Sequence, residues 1–268
     1  MGFKQQGSPD YRSIWVEGPP NSGKTYSLAT LPRPLVVLSA PGEKGSASIP
    51  YGEGVTAYVW EDDGTPSKDR NTLYYMKQWR EVEATVLAAF KEKPQAIVID
   101  GAHKLYKAGL AVATDGESEK LQSAFTEVQT DKGTRLEGEF DPRCYGKAHR
   151  IMWEFVNLVA ASAVPWRVFT SWAEQEKDDP SDKSMNGPSH IMPDLPGKAA
   201  RQVLGEVSVV LHAMIDPKGQ YVWQTKPGGK VWGAGVKGNA AVVAKLPNFI
   251  PQDFMLLDKY LCGEAKSV

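Results

Sequence analysis

An α/β fold, with a mainly parallel sheet covered by helices and a β-hairpin region toward the C-terminus, is what this sequence predicts. Three observations carry the expectation. Apolar, β-branched runs alternate with stretches of helical periodicity. Those runs are apolar at consecutive positions, as strands buried on both faces are. The first of them, Ser13-Ile14-Trp15-Val16, passes directly into a glycine-rich turn and a helix-compatible segment. With 268 residues, 41% hydrophobic and 24% charged, the chain can bury a full core, and residues 1–268 read as one domain.

The elements follow in order. Tyr26-Ser27-Leu28-Ala29 opens a helix that must be short, because Pro32 and Pro34 stop it. Leu35-Val36-Val37-Leu38 is the second strand, ending at the turn Ala40-Pro41-Gly42, and Val55 to Trp60 is the third. After the polar loop Glu61 to Arg70, Asn71 is placed to cap a helix. Its apolar positions Leu73, Met76, Trp79, Val82, Val86 and Phe90 recur at helical spacing, so the stripe is core. Pro94 ends it, and Ala96-Ile97-Val98-Ile99-Asp100 is an apolar strand closing on an acid. Residues 107–143 are polar and glycine-punctuated, and are expected to be an irregular segment, mobile in part, with room for a short helix. Tyr145 to Ala163 reads as a helix with Ile151, Met152, Phe155, Leu158 and Val159 on its apolar face, feeding the strand Trp166 to Ser171. A second polar stretch, residues 174–196, is expected as a mobile surface loop. Gly205 to His212 is a strand, Asp216-Pro217-Lys218-Gly219 turns it into Gln220 to Thr225, and Pro251 to Leu261 closes as a helix with proline in its first turn.

The chemistry begins at Gly18-Pro19-Pro20-Asn21-Ser22-Gly23-Lys24-Thr25, which fits the phosphate-binding pattern G-x-x-x-x-G-K-[ST] between strand and helix. Glycines let successive N–H groups and the positive helix end face an anion. The candidate nucleotide contacts are therefore Gly18, Pro19, Pro20, Asn21, Ser22, Gly23, Lys24, Thr25 and the following Tyr26. Lys24 is expected on the β- and γ-phosphates of ATP and Thr25 on Mg2+. Asp100, at the end of an apolar strand, is the second expected magnesium residue. Gly101-Ala102-His103 follows it, with no glutamate directly after the aspartate, so the water-activating base comes from elsewhere or hydrolysis is slow. RecA-type ATPases carry that glutamate at the end of the second strand, which makes Glu43 the first candidate. Glu174 is the second, and Thr170 or Ser171 is placed to sense a γ-phosphate. No N-K-x-D guanine signature and no D-x-x-G switch follows the phosphate loop at the usual places, so a GTPase is a poor reading. Two alternatives stand beside an ATPase: a nucleotide-dependent interaction module with little hydrolysis, and a nucleotide kinase.

Lys+Arg 31 against Asp+Glu 32 gives a formal charge of −1, so any nucleic-acid surface must be a local patch. Cys144 and Cys262 are far apart, lack zinc spacing and are expected as free thiols in a reducing compartment. The first residues lack an apolar signal region, and the expectation is a cytoplasmic protein without a membrane segment.

In the order Gly18 to Thr25, Leu35 to Gly45, Ile97 to Asp100, Asp141 to Ala148, Phe169 to Trp172 and Asp194 to Arg201, the chain resembles the phage-encoded, RecA-like AAA ATPases associated with single-strand annealing and recombination. The resemblance covers most of the chain. It implies a RecA-like P-loop core, ATP with magnesium, and action on single-stranded DNA in the host cytoplasm. Family members often carry histidine where this chain has Trp172. Candidate DNA contacts are Arg135, Arg143, Tyr145, Lys147, His149 and Arg150, then Lys198 and Arg201, then Lys226, Lys230, Trp232 and Lys237. Lys198, Arg201 or Lys226 is equally suited to reach a neighbouring subunit's γ-phosphate, since a homo-oligomer with ATP at the subunit interface is expected. A single-strand-binding or recombination protein is the further partner class expected.

Overall fold

The computed structural model describes residues 12–43, 49, 52–61, 64–65, 72–114, 126–130, 133–137, 142–175, 191–195, 199–228, 231, 234–237 and 240–264. Strands β1 (Ser13–Gly18), β2 (Leu35–Ser39) and β4 (Ala96–Asp100) are buried at every position. Strand β3 (Val55–Val59) is only partly buried, because it lies at one edge of the sheet. Strands β7 (Trp166–Gln175) and β9 (Val209–Ile215) complete the parallel set, in the order β9-β1-β7-β4-β2-β3. Beyond β9, strands β10 (Tyr221–Gln224) and β12 (Phe249–Pro251) extend the sheet in antiparallel ladders. The short strands β8 (Ile191–Pro193) and β11 (Gly235–Val236) pair with β7 and β9. A separate antiparallel pair, β5 (Thr126–Thr130) and β6 (Gly133–Glu137), falls inside the stretch expected to be irregular.

Alternation along the strands divides the core into two. On one face Trp15, Val36, Leu38, Ile97, Ile99 and Phe169 meet helices α2 (Thr72–Lys91), α3 (Leu105–Thr114), α4 (Pro142–Ala160) and α5 (Ala199–Glu206). On the other, Ile14, Val16, Val37, Val98, Val168 and Trp223 meet Leu28 and Leu31, which follow helix α1 (Lys24–Ser27), and Phe254 and Leu257 of helix α7 (Phe254–Leu261). A short helix α6 (Ala240–Lys245) lies before β12. Cover on both faces is why the parallel strands carry no polar alternation. Among the described residues no helix is long and apolar enough to cross a membrane.

Several expectations are corrected. Leu73 is 59% exposed, because it sits about 140° around the helix from Val86, at ~100° per residue. Tyr74 and Tyr75 are buried in that turn instead. Leu158 is half-exposed on the flank of α4, and Val156 is buried. Helix α3 begins at Leu105, just before the polar-looking run, and extends the short helix expected there to Thr114, with Leu105, Ala108 and Ala111 on its buried side. Gly205 and Glu206 end α5 and do not start β9. Pro251 belongs to β12, and the last helix starts later, where the Asp253 carboxylate accepts hydrogen bonds from the N–H groups of Met255 and Leu256.

Candidate functional site

Strand β1 delivers Gly18 beside β9 so closely that a Cβ there would lie 2.4 Å from the Ala213 carbonyl oxygen. The loop then turns through Asn21 at φ 62° and Gly23 at φ 86°, a region that favours glycine. Helix α1 starts at Lys24, whose side chain is buried in the turn. Its ammonium donates to the carbonyl oxygens of Gly18 at 2.9 Å and Pro19 at 2.7 Å. Burial lowers the Lys24 pKa to about 8, against the opposing pull of Asp100 and Glu43.

Asp100 faces this loop from the end of β4. The Thr25 hydroxyl lies 3.3 Å from both of its carboxylate oxygens. Strand β7 runs between β1 and β4, and brings Thr170 to the same carboxylate. Thr170 donates to Asp100 and accepts from the Gly101 N–H at 2.9 Å, so one hydroxyl ties the end of β4 to the middle of β7. Ser171 points to the opposite face, where its hydroxyl oxygen accepts from the Trp15 indole N–H at 2.9 Å. It is therefore removed as a phosphate sensor, by strand alternation alone. Burial raises the Asp100 pKa, with Glu43 adding to the shift, while Thr170, Thr25 and Lys24 oppose it.

Strand β2 pairs with β4 so that Ser39 stands opposite Asp100, and the chain continues through a turn in which the Glu43 N–H donates to Ala40 at 2.9 Å. This carries Glu43 over Gly101, where an added Cβ would lie 2.8 Å from Glu43 Oε2. The glycine after Asp100 thus makes room for the acid from the neighbouring strand. Lys24, Thr25, Asp100, Thr170 and Glu43 line one cavity of about 670 Å³. Glu174 lies in β7 opposite Met192, and its side chain lies outside the described residues.

At the outer side of that cavity stand Tyr26, 67% exposed, and Tyr221, 50% exposed. Tyr221 was not legible as a site residue, since nothing in its spacing links it to the loop. The β9–β10 turn places its ring against Gly23, where a Cβ would come within 2.7 Å of Cδ1. Gln252 also escaped the sequence reading; its amide N–H groups donate to Ser22 at 2.7 Å and Val222 at 3.1 Å, fastening the loop to the C-terminal strands.

The donor set fits magnesium. Thr25 and Asp100 offer hard oxygens, and among the described residues no cluster of three or more His, Cys, Asp or Glu could cage a metal. A cation shared with phosphates needs only one or two protein ligands of this kind.

The basic candidates separate in space. Arg150 on α4 and Arg201 on α5 line one groove of about 460 Å³ with Trp153, whose indole donates to Glu206 at 2.7 Å. Arg150 pairs with Glu154 at 2.8 Å. Tyr145 and Lys147 are exposed on α4, and His149 is half-buried against Tyr106. Lys237 is committed to the C-terminal end of α5, donating to Leu204 at 2.7 Å and Gly205 at 2.6 Å, and Lys226 donates to Ala244 at 3.4 Å. Lys198, Lys230 and Trp232 lie outside the described residues, as do the side chains of Arg135 and Arg143. Cys144 and Cys262 are free thiols.

A phosphate loop after the first parallel strand, with an acid from a nearby strand facing its lysine and threonine, defines a P-loop NTPase. The chain belongs to the AAA domain family, whose model matches residues 10–233. That membership makes it a nucleotide-binding protein of the ATPase class. No curated protein is significantly similar to it.

Proposed function

We propose that the protein binds Mg-ATP, hydrolyses it, and acts on single-stranded DNA in phage recombination, annealing or replication, in the cytoplasm of the host. The observation that carries the hydrolytic half is the convergence of Lys24, Thr25, Asp100, Thr170 and Glu43 on one cavity from four separate segments. Lys24 exchanges its loop carbonyls for the β- and γ-phosphates, and the loop N–H groups hold the remaining phosphate oxygens. Thr25 and Asp100 hold magnesium, which neutralises charge on the phosphate oxygens when bound. Glu43 takes the proton of the attacking water, and the hydrogen bond from Thr170 favours the ionised form of Asp100 and orients it. Tyr26 and Tyr221 offer ring faces for the base.

The nucleic-acid half is supported by the family resemblance and by the groove in which Arg150, Arg201 and Trp153 meet. In an oligomer with ATP between subunits, ATP-bound protomers align such grooves along a strand, and Arg201 is free to serve a neighbour's phosphate instead. The test is ATP turnover with and without single-stranded DNA, for the native protein and for Glu43→Gln and Glu174→Gln. Glu43→Gln retains ATP and loses about 10²–10⁴-fold in turnover, the range of general-base catalysis. Normal turnover in Glu43→Gln with loss in Glu174→Gln moves the base to Glu174. Turnover indifferent to DNA, with no binding of a labelled oligonucleotide at low salt, removes DNA as the partner.

A further inference from the structure

Glu43 sits on a loop, and a loop carboxylate needs support before it can hold one water in line. That support comes from the turn after β4. Gly101, at φ 77° and ψ 36°, bends the chain into a short 3₁₀ turn over Ala102–Lys104, closed by the Lys104 N–H donating to Gly101 at 2.9 Å. The turn projects Lys104 across the gap between β4 and the end of β2. Its ammonium lies 3.2 Å from Glu43 Oε2 and donates to the Gly42 carbonyl at 2.7 Å. The same ammonium sits over the Trp172 ring, 5.0 Å from its centroid.

Trp172 is itself fixed. Its backbone N–H donates to Nδ1 of the buried His103 at 3.3 Å, and the two rings stack at 5.1 Å in a tilted arrangement. Because Nδ1 accepts, His103 is the neutral tautomer with its proton on Nε2. Burial, reinforced by the charges of Lys104 and Lys24, holds its pKa at about 3 and keeps it so across the physiological range. A neutral histidine beside Lys104 adds no repulsion to the cation that faces Glu43.

The geometry assigns Lys104 as a positioning residue: with one ammonium it binds both the backbone and the carboxylate of the Gly42-Glu43 turn, and with Trp172 behind it, it fixes Glu43 against Gly101 at the mouth of the nucleotide cavity. The inference rests on Glu43 being the base. Lys104 touches no reacting atom and is separate from Lys24, whose charge serves the phosphates. Glu43 follows β2, which β7 and β4 separate from β1 and its phosphate loop, and its turn is also anchored by the Glu43 N–H donating to Ala40 at 2.9 Å and the Ala40 N–H donating to Asp100 at 2.8 Å.

Two measurements test this on the full chain. Hydrogen exchange of the Gly42 and Glu43 amides, followed without nucleotide, reads the holding of the turn whether or not ATP is hydrolysed. Steady-state turnover and nucleotide affinity read its consequence. Lys104→Met should speed exchange of the Glu43 amide about tenfold or more, because its opening is no longer resisted by the Lys104 bridge. It should lower kcat about tenfold while leaving nucleotide affinity within about twofold, since a transition-state group is misplaced and no ground-state contact is lost. Lys104→Arg, which keeps a cation able to bridge both oxygens, should recover most of both effects. Unchanged exchange and unchanged kcat in Lys104→Met overturn the positioning role even if Glu43→Gln is inactive. If Glu43→Gln turns over normally, the base assignment itself falls and Lys104 has nothing to position. A parallel loss of affinity, kcat and melting temperature, not rescued by arginine, also overturns it, because that is the signature of a structural residue.

Discussion

Raising the pH should weaken nucleotide binding, through Lys24. In the free protein burial holds this ammonium at a pKa of about 8, well below its ordinary 10.5. A bound triphosphate brings negative charge to the same place, so Lys24 in the complex stays charged well above that pH. Binding therefore takes up a proton above pH 8. For a group of this pKa roughly nine-tenths of the free protein is charged at pH 7 and roughly one-tenth at pH 9, so apparent affinity falls about tenfold over that interval. Stability follows the same linkage. The folded pKa lies below the unfolded one, so the unfolded chain binds more protons between pH 8 and 10.5. The free fold accordingly carries its full penalty below pH 8 and loses it as the pH rises. Nucleotide relieves that penalty, and should raise the melting temperature more at pH 7 than at pH 9. The assay is titration calorimetry with a nucleotide in magnesium-free buffer, so that Asp100 and its cation do not contribute, run in buffers of different ionisation enthalpy to count the proton. Affinity that is flat from pH 7 to 9 refutes the reasoning, and so does an equal slope in Lys24→Ala.

Three further outcomes follow from the same geometry. Gly23→Ala would force a Cβ to within 2.6 Å of Gln252 Oε1 at φ 86°; it should cost about 1–3 kcal/mol of stability by chemical denaturation and reduce nucleotide affinity, and a fully stable variant contradicts the loop geometry. Thr170→Val leaves the Gly101 N–H without its acceptor and removes a donor from Asp100; a loss of about 1–3 kcal/mol, with a weaker response of turnover to magnesium, is expected. Tyr221→Ala should weaken ATP binding while barely changing that of inorganic tripolyphosphate, and Tyr221→Phe should behave as the native protein; equal losses for both ligands would place the ring on the phosphates and not on the base.

The parallel core was legible because its strands are short, β-branched and apolar at every position, and because the Ala96–Asp100 run is bounded by Pro94 and an acid. The phosphate loop was legible because its chemistry is local: eight consecutive residues carry the turn, the lysine and the hydroxyl. What escaped had the opposite character. Strands β8, β11 and β12 hold two or three residues each, too few for any period to show, and exist only through pairing with longer neighbours. Helix α5 is brief, with only Ala199, Ala200, Val203 and Leu204 buried, and its four-residue face does not separate it from the strand that follows. Tyr221 and Gln252 reach the site through the β9–β10–β12 ladders, from more than 190 residues beyond Gly23, and no spacing along the chain encodes that return.

Strand order explains why the acid pair was harder to read than the loop. Thr25 follows β1, Asp100 ends β4 and Glu43 follows β2, yet β7, late in the chain, lies between the first two. That intervening strand supplies Thr170, which spans from Asp100 to Gly101 and closes the gap. On the other side of β4, register alone sets Ser39 opposite Asp100 and so fixes where the next turn of β2 must fall. The residue after Asp100 then decides how much room Glu43 has. Any side chain there would displace Glu43, since even a Cβ meets its carboxylate at 2.8 Å. A side chain at that position and the side chain of Glu43 therefore compete for the same space. The sequence Asp100-Gly101, which on its own reads as a missing glutamate, leaves room for the carboxylate that arrives from the turn after β2.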